Sequence, residues 1–297
     1  MDGILNIAKP TGKTSYNIVA MVKRLTGEKR VGHAGTLDPM ASGVLPVCLG
    51  QATRLVEYLM DTTKTYCAEI ELGVTTDTLD SEGKVTRRCD VSGLTLEKLE
   101  EAMVPFRGVI EQTPPMYSAV KHHGKPLYEL ARAGIAVERK SRTAVVHSLE
   151  LKRWQSPILT IEVTCGKGTY IRSLADDLGK ALGCGASIKN LVRSRYGIFD
   201  INDAVSPECF QEACAGGYWE SLLAPMDNIL THWSAIIVNE ETERLIRNGT
   251  PVSLDGASQK LTADCCRAYT WNGNLLAVLR FDSDKNQWHP EKVFVGN

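Results

Sequence analysis

The stretch Val31–Gly50, VGHAGTLDPMASGVLPVCLG, constrains this chain more than any other. A polar, glycine-rich segment, HAGTLDP, runs without a break into the apolar segment GVLPVCLG. That juxtaposition predicts a tight loop presenting one carboxylate, Asp38, beside a buried strand. Gly32 and Gly35 permit positive φ or close backbone approach, and Pro39 keeps the residue before it out of the α region, so backbone geometry sets the direction of the carboxylate. An isolated Asp-Pro is ordinarily a turn. The other segments that gather around it decide whether this one is more.

A chain of 297 residues can bury a sizeable core and has room for one large domain and a smaller one. Hydrophobic residues make up 43% and charged residues 23%, as in ordinary globular proteins. No apolar run approaches the roughly 18 residues that would span a bilayer, and the opening MDGILNIAKP lacks a basic segment followed by a long apolar one, so the cytoplasm is the expected compartment. Nine cysteines without a C-x-x-C pair read as reduced thiols packed as small apolar side chains, and no zinc site is expected.

The net charge of −1 conceals segregation. Lys9 to Arg30 carries six basic residues and one acidic, and Lys121 to Arg172 carries ten and four. From Asp200 onward the balance reverses, with seven basic and fourteen acidic. A nearly neutral protein with such blocks can still offer a basic face to phosphates.

In chain order, Gly3–Ala8 reads as a strand and Lys9–Gly12 as a turn. A helix over Tyr16–Leu25 follows, with Thr14 or Ser15 as N-cap and Ile18, Val19, Val22 and Leu25 on one face. Gln51–Met60 reads as a helix. Lys64–Leu72 alternates Tyr66, Ala68, Ile70 and Leu72 on one side, as a half-buried strand does. Leu94–Met103 reads as a helix, with Thr95 a candidate N-cap, and Thr113–Lys121 as a proline-stiffened loop. Arg142–Leu151 and Ile158–Cys165 read as paired strands, the second leading into a glycine-rich turn before Thr169-Tyr170-Ile171-Arg172. No G-x-x-x-x-G-K-[ST] occurs, so Arg172 is better read as a partner for a carboxylate or phosphate than as part of a nucleotide loop. Ala224–Asp227 reads as a linker. Beyond it come a helix, Glu240–Arg247, and strands around Tyr269–Trp271, Leu275–Phe281 and Val293–Val295.

These blocks resemble the TruB family of pseudouridine synthases. Gly32, His33, Gly35, Leu37, Asp38, Pro39, Ala41, Gly43, Leu45 and Pro46 fill the fixed places of G-H-x-G-x-L-D-P-x-A-x-G-x-L-P. Lys9, Pro10, Gly12, Thr14 and Ser15 match the family's opening motif, and Lys64 and Tyr66 its K-x-Y. Leu72, Gly73, Thr76, Asp77, Thr78 and Asp80 match L-G-x-x-T-D-T-x-D, and Cys165 to Leu174 match C-x-x-G-T-Y-I-R-x-L. Pro114 to Lys121 resembles the P-P-x-Y-S-A-x-K of an arm that grips RNA.

The resemblance implies an α+β fold, in which a pseudouridine synthase catalytic domain over residues 1–230 is built on a mixed, largely antiparallel sheet flanked by helices. An RNA-gripping insertion would occupy about 105–150, and a small C-terminal PUA-like β-domain 236–297. It implies isomerisation of uridine 55 in the T-loop of elongator tRNAs, with tRNA as partner, no guide RNA, no membrane, and neither metal nor organic cofactor. A monomer is expected.

Making pseudouridine means breaking the C1′–N1 bond of a uridine, turning the uracil and joining its C5 to C1′. On the resemblance, Asp38 is the catalytic carboxylate, attacking covalently or stabilising positive charge at C1′. Arg172 keeps it ionised. Tyr66 stacks on the uracil, Tyr170 supports the pocket and Leu191 lies beside the base. His33 fills the gap left when the base flips out of the stack, and Lys9 and Lys64 are substrate-binding positions. Two other classes fit parts of the pattern. An RNA-binding or tRNA-folding protein would not depend on Asp38, and a nucleoside or glycoside hydrolase would release free uracil or sugar.

Overall fold

The computed structural model describes residues 1–254 and 264–294. A ten-stranded sheet forms the body, and its main path runs Leu223–Ala224, Gly3–Lys9, Ser42–Leu49, Ala186–Tyr196, Lys64–Leu72, Ile158–Cys165, Arg142–Gln155, Gly108–Gln112. Val31–His33 pairs with Ser42–Leu49, and Phe199–Asp200 with Ala186–Tyr196. Among the described residues the one parallel ladder of this sheet joins Ser42–Leu49 to Ala186–Tyr196, through Val192↔Ser42 and Arg193↔Gly43. The sheet is therefore mixed and largely antiparallel, as expected. That parallel pairing brings residues about 150 positions apart in sequence against the Asp38 loop.

The strand after the loop shows no polar alternation because both of its faces are covered. Leu45, Val47 and Leu49 join a core with Leu5, Ile7, Ala68, Ile70 and the helix residues Ile18, Val22, Leu99, Leu174 and Leu178. Val44 and Cys48 face the other way, into a cluster with Ile4, Leu55, Leu59, Tyr196 and Phe199. Gly43 has φ of 108°, and a Cβ there would lie 2.2 Å from the Arg193 carbonyl oxygen. Only glycine lets the two backbones approach so closely at this turn into the strand.

The helix Ser15–Thr26 opens with a reciprocal cap between Thr14 and Asn17 and closes at Gly27 with φ of 70°. Leu96–Met103 is capped by Thr95. The expected helix over Gln51–Met60 divides into a 3-10 turn, Gly50–Leu55, and a short α-helix, Val56–Met60. Gly50 enters at φ of 60°, and the Gln51 amide is held by Asp2 Oδ1 at 2.6 Å, which ties down the first turn. The stretch that reads as a linker is anchored instead. Leu223–Ala224 pairs with the Gly3–Lys9 strand, and Ile229 and Leu230 are buried just after it.

A second, four-stranded sheet runs Ser234–Ile237, Cys265–Tyr269, Leu275–Asp282, Gln287–Val293, with Glu240–Arg247 packed against it through Ile246. The strand expected near Tyr269–Trp271 ends at Tyr269, because Thr270–Gly273 makes a turn closed by Gly273 N to Thr270 O at 2.9 Å. The last strand ends at Val293, and Val295 lies outside the described residues. Val278 and Phe294 of this part join the apolar cluster of the body, Lys292 pairs with Glu57 at 2.6 Å, and Tyr58 meets Trp233 edge-on. Within about 105–150, the strands Gly108–Gln112 and Arg142–Gln155 belong to the main sheet. Between them lie a small hairpin, Lys121–His122 with Lys125–Pro126, and the helix Leu127–Arg132.

Candidate active site

The loop that carries Asp38 is fastened on both sides of that residue. Ser15 Oγ, buried at the start of its helix, accepts from the Leu37 amide at 2.9 Å and donates to the Leu37 carbonyl at 3.1 Å. On the other side, Gly12 N donates to the Pro39 carbonyl at 2.8 Å, and the Lys9 ammonium reaches the same oxygen at 3.4 Å. Gly35 turns at φ of 68°, where a Cβ would come within 2.8 Å of the Tyr196 ring. A carboxylate on a loop held in this way has its direction fixed before any ligand arrives.

Asp38 Oδ2 lies 2.9 Å from Arg172 Nη2, and 36% of the Asp38 side chain is open. Arg172 is 5% exposed, and both terminal nitrogens of its guanidinium are engaged. Nη1 meets Asp80 Oδ2 at 3.3 Å and donates to the Thr78 carbonyl at 3.1 Å, and Nη2 donates to the Tyr117 carbonyl at 2.8 Å. One cation thus serves two carboxylates. Burial on its protein side pushes the Asp38 carboxyl above the usual carboxylate range. Arg172 opposes that rise and the negative charge of Asp80 adds to it.

Arg172 is the second residue of the helix Ile171–Ala181. Gln112, 3% exposed, holds the residue before that helix, accepting from Tyr170 N at 3.0 Å and donating to Tyr170 O at 3.2 Å. Ser173 Oγ donates to the Thr113 carbonyl at 2.8 Å, so the helix start and the proline-rich loop are joined.

Asp38, Tyr66, Tyr170, Arg172 and Leu191 line one pocket of about 270 Å³, together with Lys64, Ser118, Arg193 and Tyr196. Five sequence-predicted positions thus converge from four separate segments, and Lys64 makes a sixth. Tyr66 stands opposite Arg193 in the strand register. Burial raises the pKa of its phenol, with Arg193 acting in the opposite direction. Tyr170 is likewise raised by burial. Leu191 is buried and supplies an apolar wall.

The two lysines face inward. Lys9 is 1% exposed, and its ammonium also donates to the carbonyls of Pro10 at 2.8 Å and Lys13 at 2.7 Å, which puts it beneath the loop and away from the surface. Lys64 donates to the carbonyls of Met60 and Thr62 and sits 4.7 Å above the Tyr196 ring. Burial lowers each to about 8. His33 is half-buried on the Val31–His33 strand, outside the pocket lining, with Nδ1 unpartnered and its pKa lowered by burial.

Sequence reasoning did not single out Asp80, Gln112 and Arg193 for the site. Asp80 is already in the T-D-T-x-D block, where a carboxylate needs a cation once buried. Arg193 stands two residues after Leu191, the spacing that puts both on one face of a strand. For Gln112 there is no local signal, since its partner is 58 residues away.

Residues 23–171 match the model described as TruB family pseudouridylate synthase (N terminal domain), and residues 172–231 that of the tRNA pseudouridylate synthase B C-terminal domain. A tRNA pseudouridine synthase B from Dehalococcoides mccartyi is 46% identical over 295 residues, 99% of this chain and 97% of that protein. Another, from Clostridium kluyveri, is 40% identical over 297 residues, covering 99% of this chain and 100% of its own. Among solved structures, a chain of a Cbf5-Nop10-Gar1 complex superposes with a TM-score of 0.75 at 27% identity, over 99% of this chain and 85% of that one. With the aspartate, tyrosine and arginine blocks gathered around one pocket and both family models matched in sequence, the chain belongs to the TruB family of pseudouridylate synthases.

Proposed function

We propose that this chain isomerises uridine 55 in the T-loop of elongator tRNAs to pseudouridine, acting as a monomer without a guide RNA. The observation that carries this reading is the Asp38–Arg172 pair, 2.9 Å apart, with the carboxylate open to a pocket that Tyr66 also lines. A flipped uridine fits there with its sugar over Asp38 and its base against Tyr66 and Leu191. As the C1′–N1 bond breaks, the electron pair stays with uracil and Asp38 meets the electron-deficient C1′. The uracil turns within the pocket, C5 bonds to C1′, and the C5 proton is then lost. Tyr66 holds the free base by stacking, and Tyr170 and Leu191 bound the space in which it turns.

The names of the full-length relatives support tRNA as substrate. The Cbf5 neighbour was solved with two further proteins; for this chain we infer a stand-alone enzyme. All nine cysteines are unpaired, as suits the reducing cytoplasm, and among the described residues no helix is long and apolar enough to cross a membrane. We assign residues 1–230 to catalysis and 236–297 to a PUA-like RNA-binding domain, with the basic segment between Gly108–Gln112 and Arg142–Gln155 as the RNA-gripping arm. His33 then serves the flipped state, by stacking where the base had been.

The test is Asp38→Asn and Asp38→Ala on an unmodified tRNA transcript. Binding is expected to stay within about tenfold, roughly 1.4 kcal/mol, while site-specific mapping finds no pseudouridine. Continued product from either variant would overturn the assignment, and release of free uracil by the wild type would point to a hydrolase.

A further inference from the structure

The pocket contains two buried arginines with opposite electrostatic situations. Arg172 is shared by two carboxylates. Arg193, 1% exposed, donates from Nε to the Val44 carbonyl at 2.7 Å and from Nη2 to the Gly35 carbonyl at 3.0 Å, and lies 4.8 Å above the Tyr196 ring. None of these partners is a carboxylate, and among the described residues Arg193 has no ion pair.

Its surroundings are cationic as well. Lys9 and Lys64 both feel its charge, and both have their ammonium groups turned to backbone carbonyls. The acid that lines this pocket, Asp38, is already held by Arg172. A buried cation without a counter-charge is costly, and such groups concentrate where a reaction supplies the missing charge. In the strand register Arg193 lies directly between Gly43 and Tyr66, so it lines the wall against which a stacked base would rest.

We propose that Arg193 is a catalytic residue that stabilises the uracil anion while the base is detached from the sugar. This rests on the pseudouridine reading. When C1′–N1 breaks, its electron pair leaves on the uracil and is shared by N1, O2 and O4, while C1′ is met by Asp38. A fixed guanidinium facing that base lowers the energy of the charge without moving, as preorganised donors do for other developing anions. The charge disappears when C5 uses the pair to bond C1′. The C5 proton then leaves, and N1 takes up a proton. No redox partner is needed.

The other role available to Arg193 is purely structural, holding the Gly35 and Val44 carbonyls so that the Asp38 loop keeps its shape. The two roles separate on the leaving ability of the base. Electron-withdrawing fluorine at C5 makes the departing uracil a better anion, so it should relieve a missing cation but not a misplaced loop. The experiment compares the wild type, Arg193→Gln and Arg193→Lys in single turnover on tRNA transcripts made with uridine or 5-fluorouridine. The readout is loss of the N-glycosidic bond at the target nucleoside, by mass spectrometry of nuclease digests. Arg193→Gln should slow cleavage about 100-fold or more with uridine, and at least about tenfold less than that with 5-fluorouridine, while Arg193→Lys, which keeps the charge, falls between wild type and Gln. Equal deficits on the two bases would overturn the proposal and leave the structural role. If Arg193→Gln does not fold, the same comparison of bases on Arg193→Met, which also removes the charge, decides it. A wild type that binds the transcript yet forms no pseudouridine from uridine would sink the underlying reading instead.

Discussion

The hydroxyl of Ser15 holds Leu37 by both backbone polar groups, accepting from the amide at 2.9 Å and donating to the carbonyl at 3.1 Å. Leu37 precedes Asp38, so a helix start sets the position of a loop 22 residues later. Ser15→Ala would leave two buried backbone groups without partners. The expected cost is about 1–3 kcal/mol of stability, since an orphaned buried donor or acceptor loses its full hydration. Turnover should fall further than tRNA binding, because the loop carries the proposed catalytic carboxylate. Thermal denaturation beside single-turnover and binding assays checks this, and unchanged turnover would mean the loop is held well enough by Lys9 and Gly12 alone.

Arg172→Lys should separate the charge of the arginine from its shape. The guanidinium reaches Asp38, Asp80 and the carbonyls of Thr78 and Tyr117 together. A lysine keeps the charge, but its single nitrogen cannot bridge the same acceptors. Turnover is expected to drop about 100-fold or more, with tRNA affinity within about tenfold of wild type. An equal loss in both would indicate a phosphate contact in place of an Asp38 partner.

Asp80→Asn should move the acid limb of the pH–rate profile. In the proposed mechanism Asp38 acts as a carboxylate, so activity should rise as pH passes upward through its pKa. Burial raises that pKa, and the negative charge of Asp80 raises it further. Removing the Asp80 charge therefore lowers the Asp38 pKa, and the limb of kcat/KM should shift to lower pH. Turnover on the plateau should fall as well, because Arg172 loses one of its two anchoring carboxylates. A limb that stays in place, or moves to higher pH, would show that Asp80 does not act through Asp38.

What could be read from the sequence was what local rules control. The Thr14 cap, the apolar stripe of Ile18, Val19 and Val22, and the alternation of Lys64–Leu72 each depend on residues a few positions apart, and each element lies close to where it was expected. The strand after Asp38 was legible as buried, but not that its two faces enter different apolar clusters, which follows from helices and the C-terminal sheet packing on opposite sides. Ala224–Asp227 looked like a linker because Pro225 breaks periodicity, while the residues that anchor this region, Leu223, Ile229 and Leu230, lie on either side of it. In the site, Asp38 and Arg172 were legible as partners. The Gln112–Tyr170 clamp and the Gly43–Arg193 approach were not, because nothing within either segment specifies a partner in the other.

Lys64 offers a pH test of the pocket wall that does not depend on activity. The residue is 6% exposed, and burial lowers its pKa from 10.5 to about 8. Between those two values the unfolded chain binds a proton that the folded protein has lost, so this group makes stability rise as pH increases through that window. Below about 8 the lysine is charged in both states and contributes no slope. Lys64→Met removes the group, while Lys9 and the raised tyrosines titrate in both proteins and cancel from the difference; Cys165, which is coupled to Lys64, is raised to about 11 and stays protonated below pH 9.5. The stability of wild type relative to Lys64→Met should therefore be flat below pH 8 and grow by about 1–2 kcal/mol by pH 9.5, at 1.36 kcal/mol per unit. Denaturant midpoints of the two proteins across that range measure it. A difference that narrows with pH would mean the folded pocket favours the ammonium, as it would if an anion beside Tyr196 were already compensating it.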